Sequence, residues 1–275
     1  SSPFARYDGG SDDHNGDRHY WEVWHGKKPI EMYNKERSRF FSEYGFQSFP
    51  EFESVKRYAP CEEDWNIYSE VMMSHQRGGA HANELIETYL LNEYRKSRDF
   101  EAFLYMNHVL QGDAIKTAIE AHRRDMPYCM GTLFWQHNDC WPVASWASRD
   151  YYGRWKAQHY FTRKAYRDIL VSPIADESGI LKVQVVSDRL KSCSGKLEVS
   201  VIKLTGEVLN QYNRNVKIDA NSSRTLFSIP LEEALNGARK EDVFIHAVLS
   251  TDKGKNDYAN NYFLVKQKEV TIRTP

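Results

Sequence analysis

A carboxylate at the end of an apolar run is the first candidate for chemistry in this 275-residue chain. Glu43 follows Phe40 and Phe41 and precedes Tyr44 and Gly45, where a strand-like pattern gives way to an aromatic-rich turn. A charged group among apolar residues is unfavourable unless it is paired or used. These residues leave two interpretations open: a catalytic carboxylate presented at the C-terminal end of a barrel strand, or a surface acid at a strand end.

Two further segments contain side chains suited to binding a sugar. Residues 131–146 read GTLFWQHNDCWPVASW, and residues 16–24 read GDRHYWEVW. Aromatic side chains make up 13% of the chain, with seven Trp and 17 Tyr. Such side chains combine a large apolar face with a polar edge, which suits carbohydrate binding, but core packing is their commoner role. Composition alone therefore leaves both roles open.

In this order and at these separations, the three segments resemble the β-mannosidase branch of glycoside hydrolase family 2. The resemblance covers residues 1–170 well and the remainder loosely. It implies that Glu43 is the nucleophile of a retaining glycosidase and that Trp135 forms the floor of the subsite for the terminal sugar. His19 and Tyr20, expected on the neighbouring strand, are predicted to donate hydrogen bonds to Glu43 or to the sugar. Trp21 and Asp17 complete the predicted substrate-binding set.

A retaining glycosidase uses two carboxyl groups about 5–5.5 Å apart, one as nucleophile and one as general acid. The family places the general acid in an Asn-Glu pair after barrel strand four. Asn83-Glu84 and Asn92-Glu93 are such pairs, but they fall in helix-like sequence and are predicted on solvated helix faces. The proton donor is therefore predicted on a preceding N-terminal portion of a longer polypeptide, and the isolated chain is predicted to be inactive.

Three strands separated by helical segments predict parallel βα units before residue 170. The predicted strands are 19–24, 38–44 and 128–136, and helical spacing recurs at Leu85, Ile86, Tyr89 and Leu90, at Ile115, Ala118, Ile119 and His122, and over 155–170. A complete (β/α)8 barrel needs eight strands and about 250 residues. The resemblance assigns these three as barrel strands six to eight, so the other five would precede them.

After residue 171 the pattern changes to alternating apolar and polar residues between turn signals, which predicts an antiparallel sandwich. The predicted apolar faces are Leu181, Val183 and Val185, then Leu197, Val199 and Val201, then Phe244, His246 and Val248. The resulting fold class is multidomain, α/β plus all-β. Residues 1–170 are predicted to be the C-terminal part of a (β/α)8 catalytic domain, and residues 171–275 an immunoglobulin-like β-sandwich.

Charge and motif patterns argue against several other classes of function. The formal net charge is −1, so no field favours nucleic acid or an anionic membrane, and no run of about 18 apolar residues predicts a membrane span. The acidic run from Asp12 to Asp17 fails the calcium-loop pattern, because Arg18 and Trp24 occupy the Gly and Glu positions counted from Asp13. Four cysteines without a C-x-x-C pair predict buried free thiols. No metal and no cofactor are expected.

The leading hypothesis is part of a retaining exo-β-mannosidase that acts on terminal β-D-mannose in β-mannoside oligosaccharides or glycans. Its other partner would be the rest of its own polypeptide. The alternatives are another family 2 activity (β-galactosidase, β-glucuronidase or exo-β-glucosaminidase) and a non-catalytic carbohydrate-binding or structural fragment in which Glu43 is unused. The resemblance also favours a location outside the cytoplasm, whether periplasmic, secreted or lysosomal.

Overall fold

The structure is a computed structural model that describes residues 17–251 and 256–271. The chain divides into two compact units. Unit 1 comprises the described residues up to Arg123 together with Tyr128–Ala165, and unit 2 comprises Arg124–Pro127 and the residues from Tyr166 onward. The polar loop predicted over the first 16 residues lies outside the described part of the chain.

Unit 1 is mainly helical around a small parallel sheet. Its strands are β1 (Asp17–His19) and β2 (Phe40–Glu43), and its helices are α1 (Phe52–Val55), α2 (Glu70–Ser74), α3 (Ala80–Glu93), α4 (Phe100–Arg124) and α5 (Ala157–Ala165), with 3-10 turns at Ile30–Asn34 and Glu62–Asp64. The predicted helical repeats over residues 85–90 and 115–122 are confirmed, since their apolar residues are buried in one core cluster. The helix predicted over 155–170 is confirmed only in part: α5 ends at Ala165, and the chain is in a strand from Ile169.

β2 is the central element of the parallel sheet. β1 pairs with it on one side, with Arg18 opposite Phe41. On the other side Phe41 N donates to Gly131 O at 3.0 Å, and Leu133 N donates to Phe41 O at 2.8 Å. The predicted strand at 128–136 is therefore present only as an extended segment with one isolated bridge, between Phe41 and Thr132, rather than as a regular strand.

The strand predicted over residues 19–24 is wrong. The regular strand ends at His19, and the chain then turns, with Gly26 N donating to Trp21 O at 3.0 Å. Trp24 adopts a φ of 96° within this turn and is fully buried. A Cβ on Gly26 would lie 2.6 Å from Glu22 O, so the turn requires glycine there. The aromatic run is apolar because it packs into the core, not because it is extended.

Unit 2 is an antiparallel two-sheet structure. One sheet has the order β3-β4-β7 and the other β6-β5-β8-β9. The elements are β3 (Ile169–Ala175), β4 (Ile180–Ser187), β5 (Cys193–Lys203), β6 (Val208–Ile218), β7 (Ser222–Pro230), α6 (Leu231–Leu235), a 3-10 turn at Lys240–Asp242, β8 (Val243–Thr251) and β9 (Asn256–Phe263). Both sheets contribute to one buried apolar cluster, which includes Val183, Phe227, Val199 and Ile245.

The predicted inward faces of β4 and β5 are confirmed, but the predicted face of β8 is wrong. In β8 the buried residues are Val243, Ile245, Ala247 and Leu249, whereas Phe244, His246 and Val248 are only partly buried. Both faces of this strand carry apolar residues, so alternation alone does not identify the inner one.

All four cysteines are free thiols, but only Cys129 is buried; Cys61 and Cys140 are exposed and Cys193 is half-buried, so the expected burial holds for one of them. Across residues 17–251 and 256–271, no helix is both long and apolar enough to cross a membrane. Within the same residues no cluster of three or more His, Cys, Asp or Glu side chains could hold a metal ion.

Candidate active site

Glu43 ends β2 with its side chain 26% exposed, and one hydrogen-bond donor and one imidazole nitrogen approach its carboxylate. Trp21 Nε1 donates to Glu43 Oε1 at 3.0 Å. His19 Nδ1 lies 3.6 Å from Glu43 Oε2. Tyr20, which lies between His19 and Trp21 in the sequence, is also bonded to Glu43 through its backbone, because Tyr20 N donates to Glu43 O at 2.8 Å. The carboxylate is thus oriented from the chain that follows β1, while part of it remains open to solvent.

Trp21 is held in place by two neighbouring rings. Its ring centroid lies 5.9 Å from that of Trp146 at an interplanar angle of 75°, an edge-to-face contact. The ring of His25, an exposed residue, lies 5.2 Å from that of Trp21 and 6.0 Å from that of Trp146. Sequence reasoning assigned Trp21 to the substrate and missed its hydrogen bond to Glu43. It also gave no role in the site to His25 or Trp146.

Tyr20 does not donate to Glu43, which corrects the prediction. Its side chain is 1% exposed, and its hydroxyl donates to Glu36 Oε1 at 3.2 Å. Burial, reinforced by the Glu36 carboxylate, raises the pKa of the Tyr20 phenol. Its ring also packs edge-on against Tyr33 and Phe41. Tyr20 follows the last residue of β1 and its ring lies in the core, whereas His19 and Trp21 on either side of it face Glu43.

Asp17 connects β1 to β2. Its Oδ2 accepts a hydrogen bond from the hydroxyl of Ser42, which immediately precedes Glu43. Its Oδ1 is buried without a hydrogen-bond partner among the described residues. This contact joins the first residue of β1 to Ser42 of β2, next to Glu43. The predicted contact of Asp17 with substrate stays a prediction.

Trp135 reaches the same region through Gly45. Trp135 N donates to Tyr44 O at 2.7 Å, and the indole is 42% exposed. A Cβ built on Gly45 would lie 2.4 Å from Trp135 O, 2.9 Å from Trp146 Cδ1 and 3.0 Å from Trp21 Cη2. The absence of a side chain on Gly45 therefore lets the backbone carbonyl of Trp135 and the rings of Trp146 and Trp21 come together two residues after Glu43. The peptide bond between Trp135 and Gln136 is cis.

Below this cluster, the two loops that carry it are joined by a short antiparallel bridge. Ser48 N donates to Ser145 O at 2.9 Å, and Ser145 N donates to Ser48 O at 3.1 Å. From α4, Gln111 Nε2 donates to Phe46 O at 2.8 Å, and Gln111 Oε1 accepts from Ser48 Oγ at 2.7 Å. All of these groups are buried. The loop after Glu43 is thus fixed both to the loop after Trp135 and to α4.

Charged and titratable side chains complete this buried frame. Lys156, which is 1% exposed, donates from Nζ to Ser48 O at 2.8 Å, and burial lowers the pKa of its ammonium to about 8 while Asp139 and Asp150 oppose that shift. Burial raises the pKa of Asp139, although Lys156 lies close enough to oppose this. Burial also lowers the pKa of His108 to about 4, and its Nε2 contacts Phe49 O at 2.7 Å.

The two Asn-Glu pairs lie in α3, as predicted, and neither stands at a strand end. Glu84 and Asn92 are exposed and Glu93 is partly buried. Asn83 departs from the prediction of a solvated position because it is 0% exposed. Its amide is used inside the fold: it donates to the carbonyl of Ile67 and accepts from the amide of Gln76.

Comparison with known proteins gives the wider context. Residues 179–269 match the family described as the Mannosidase Ig/CBM-like domain. The β-mannosidase of Rattus norvegicus is 29% identical over 272 residues, which cover 93% of this chain and 30% of that protein. β-Mannosidase B of Aspergillus niger is 30% identical over 237 residues, covering 79% of this chain and 28% of that protein. The crystal structure of the β-D-mannosidase from Dictyoglomus thermophilum superposes with a TM-score of 0.88 at 32% identity, over 98% of this chain and 32% of that one.

The chain is a relative of the β-mannosidases of glycoside hydrolase family 2. This confirms the family resemblance predicted from the sequence, and the domain match confirms an immunoglobulin-like domain within unit 2. The chain spans about 30% of the length of the β-mannosidases that it matches. The exo-chitosanase of Amycolatopsis orientalis is also similar, with a TM-score of 0.71 at 17% identity, a likeness of fold alone.

Proposed function

We propose that this chain is the nucleophile-bearing part of a retaining exo-β-mannosidase, which releases terminal non-reducing β-D-mannose from β-mannosides. The observation that carries the proposal is the carboxylate of Glu43 at the end of β2, hydrogen-bonded by Trp21, with the backbone of the exposed residue Trp135 bonded to the adjacent Tyr44. The similarity to β-mannosidases over 93% of the chain supports the substrate class.

The proposal extends to the architecture of the parent protein. Residues 1–170 are proposed to hold the C-terminal part of a (β/α)8 catalytic barrel and residues 171–275 an immunoglobulin-like domain, although unit 1 already ends at Ala165 and β3 begins at Ile169. The parallel pairing of β2 with β1 and with the segment around Thr132 supports a barrel origin, because barrel strands are parallel and carry their active site at the carboxyl ends. The partners are then a β-mannoside and the rest of the same polypeptide, with no cofactor.

In the proposed mechanism, a carboxylate oxygen of Glu43 attacks the anomeric carbon as the glycosidic bond breaks. The general acid gives its proton to the leaving oxygen, and this acid would come from the part of the polypeptide outside the chain. Water then attacks the glycosyl–enzyme ester, its proton returns to the former acid, and Glu43 is released as a carboxylate. The hydrogen bond from Trp21 orients the nucleophile in both steps.

The aromatic side chains supply the binding surface. Trp135 is an exposed aromatic residue whose backbone is bonded to Tyr44, the residue after Glu43, which supports the proposal that it forms the floor of the terminal-sugar subsite. His19, whose side chain is 31% exposed at the same carboxylate, is proposed to donate to a sugar hydroxyl. A location outside the cytoplasm is also proposed, because the chain resembles glycosidases that act on glycans.

The test is a substrate panel with the full-length protein that contains this chain. Aryl β-mannoside, β-galactoside, β-glucuronide and β-glucosaminide are compared by kcat/KM, and proton NMR identifies the anomer of mannose released first. The proposal predicts the highest kcat/KM on the mannoside and β-mannose as the first product. A preference for another glycoside would reassign the substrate, and α-mannose released first would contradict the retaining mechanism.

A further inference from the structure

We propose that Lys156 is a positioning residue of the active site, whose buried ammonium fixes the loop after Glu43 to the loop after Trp135. The inference rests on the proposed function, because it concerns the geometry in which Glu43 meets the terminal sugar. Lys156 lies in unit 1 immediately before α5 and does not contact the carboxylate of Glu43. It acts through the two loops that carry the site.

The ammonium spans the single bridge between these loops. Lys156 Nζ donates to Ser48 O at 2.8 Å and lies 3.4 Å from Ser145 O. Ser48 and Ser145 are the two residues whose backbones pair with each other. Ser145 immediately precedes Trp146, which packs against Trp21, the donor to Glu43. One side chain is therefore bound to both halves of the frame that shapes the site.

A second connection runs from the same place to Trp135. Ser145 Oγ donates to Asp139 Oδ1 at 2.6 Å, and Gln136 Nε2 lies 3.4 Å from the same oxygen. Gln136 directly follows Trp135, so Asp139 links the proposed sugar floor to the bridge at which Lys156 is anchored. Asp139 is 6% exposed, and the nearby ammonium supplies the opposite charge that such a buried carboxylate needs.

The ammonium is not required to satisfy the two carbonyl groups. Each already accepts a hydrogen bond from the backbone N–H of its partner, and Gln111 also contacts Ser145 O at 3.5 Å. Burying a charge is unfavourable, and an apolar side chain of similar volume often stabilises a core as well or better. We therefore explain the buried ammonium by its position. It fixes the separation of the loop after Glu43 and the loop after Trp135, whose backbones pair with each other at the bridge between Ser48 and Ser145.

The other charged or titratable groups that act on Lys156 agree with this assignment. Asp150 adds a second negative charge, and it is itself held by the hydroxyl of Ser54 and by Arg154 N at 2.8 Å. His108, on α4, is kept neutral near pH 7, because burial and the Lys156 charge lower its pKa to about 4. The site around Lys156 thus combines one cation with two carboxylates and a neutral imidazole.

The experiment compares three variants of the full-length protein with the wild type: Lys156→Met, Asp139→Asn and the double variant. The asparagine at position 139 keeps an oxygen that can accept a hydrogen bond from Ser145. The double variant removes the buried carboxylate of Asp139 together with its counterion, so no unpaired charge is left at that position. Two quantities are measured: the midpoint of thermal unfolding, and the rate of covalent inactivation by a 2-deoxy-2-fluoro-β-mannosyl fluoride at a temperature where every variant is folded. Lys182→Met, which removes an ion-paired lysine in unit 2, is the matched control.

A positioning role predicts that the two quantities separate. Lys156→Met lowers both the unfolding midpoint and the inactivation rate, the rate by about 10- to 100-fold, since a displacement near 1 Å has effects of this order. The double variant recovers most of the midpoint but not the rate. Lys182→Met leaves the inactivation rate unchanged.

Three outcomes distinguish a failure of this inference from a failure of the proposed function. If the wild type itself is not inactivated, the proposed function fails. If the wild type is inactivated and Lys156→Met reacts at the same rate, Lys156 does not position the site. If the rate in the double variant returns together with the unfolding midpoint, the role of Lys156 is stability alone. Should Lys156→Met not fold, the double variant decides between the last two outcomes.

Discussion

Replacing Gly45 with alanine tests the close packing around the candidate nucleophile. The new Cβ would lie 2.4 Å from Trp135 O, whereas ordinary contact begins at 3.4 Å. The carbonyl must therefore recede by about 1 Å, because repulsion rises steeply below contact distance. It cannot move freely, since Trp135 N is hydrogen-bonded to Tyr44 O at 2.7 Å. The Cβ would also press on the rings of Trp146 and Trp21 at 2.9 and 3.0 Å.

The displacement acts directly on the residues proposed to bind and attack the sugar. A shift of about 1 Å in such a site lowers kcat/KM by about 100-fold, equivalent to about 2.7 kcal/mol in the barrier of the proposed reaction. Overpacking of this kind also destabilises a fold by about 1–3 kcal/mol. The assay is kcat/KM on an aryl β-mannoside with the full-length protein, together with the free energy of unfolding from urea titration.

Gly206→Ala is the control. Gly206 has a φ of 92° in unit 2 and open space around the position of a Cβ, so alanine strains the backbone there by about 1–3 kcal/mol without touching the candidate site. The control should lose stability and keep kcat/KM. If Gly45→Ala retains kcat/KM within about threefold of the wild type, the three tryptophans do not define the geometry of catalysis, and the reasoning is refuted.

Three further predictions follow from the same structure. Trp135→Ala should lower kcat/KM on the mannoside by about 2- to 13-fold, since an aromatic contact contributes about 0.5–1.5 kcal/mol beyond burial; activity equal to the wild-type value, measured with the unfolding midpoint unchanged, would place Trp135 outside the subsite. Burial lowers the pKa of His108 to about 4 in the folded protein. The contribution of the neutral His108 to the free energy of unfolding is therefore complete above pH 6.5. It is lost as pH falls from 6.5 towards 4, by up to about 3 kcal/mol, because the unfolded chain binds the proton first. Urea titrations between pH 7 and pH 4 should show a smaller loss in His108→Gln than in the wild type, and an equal loss would contradict this origin. Finally, the isolated 275-residue chain should not hydrolyse aryl β-mannosides, because one carboxylate cannot both attack and protonate in the same step; turnover comparable to the full-length protein would reveal an acid within the chain, with Glu22 and Glu31 the first to mutate.

Periodic elements were predictable from the sequence. α3 and α4 carry their apolar residues at helical spacing, and β4 and β5 alternate with a period of two, so local pattern and tertiary burial agree. β2 was also predictable, because its apolar run ends at the acidic Glu43. The Glu43 and Trp135 segments could be placed together only through the family resemblance, since they are distant in the sequence.

Other features depend on tertiary contacts that leave no local pattern. The aromatic run after His19 reads as a strand, but the burial of Tyr20 and Trp24 requires a turn. The donor role of Trp21 depends on Trp146, which comes from another segment. Lys156 is a single lysine among polar and aromatic residues, and its burial follows only from the approach of two loops and α4. Sequence composition gives no signal that these distant segments approach one another.

The central claim is that Glu43 is the carboxylate that forms the glycosyl–enzyme bond. The most direct measurement is peptide mapping by mass spectrometry after the full-length protein has been inactivated with a 2-deoxy-2-fluoro-β-mannosyl fluoride. The account predicts a single modified peptide that contains Glu43, and no label in a Glu43→Gln variant, whose amide cannot form the ester. Modification of a different carboxylate, with Glu43 left unlabelled in an inactivated enzyme, would contradict the account.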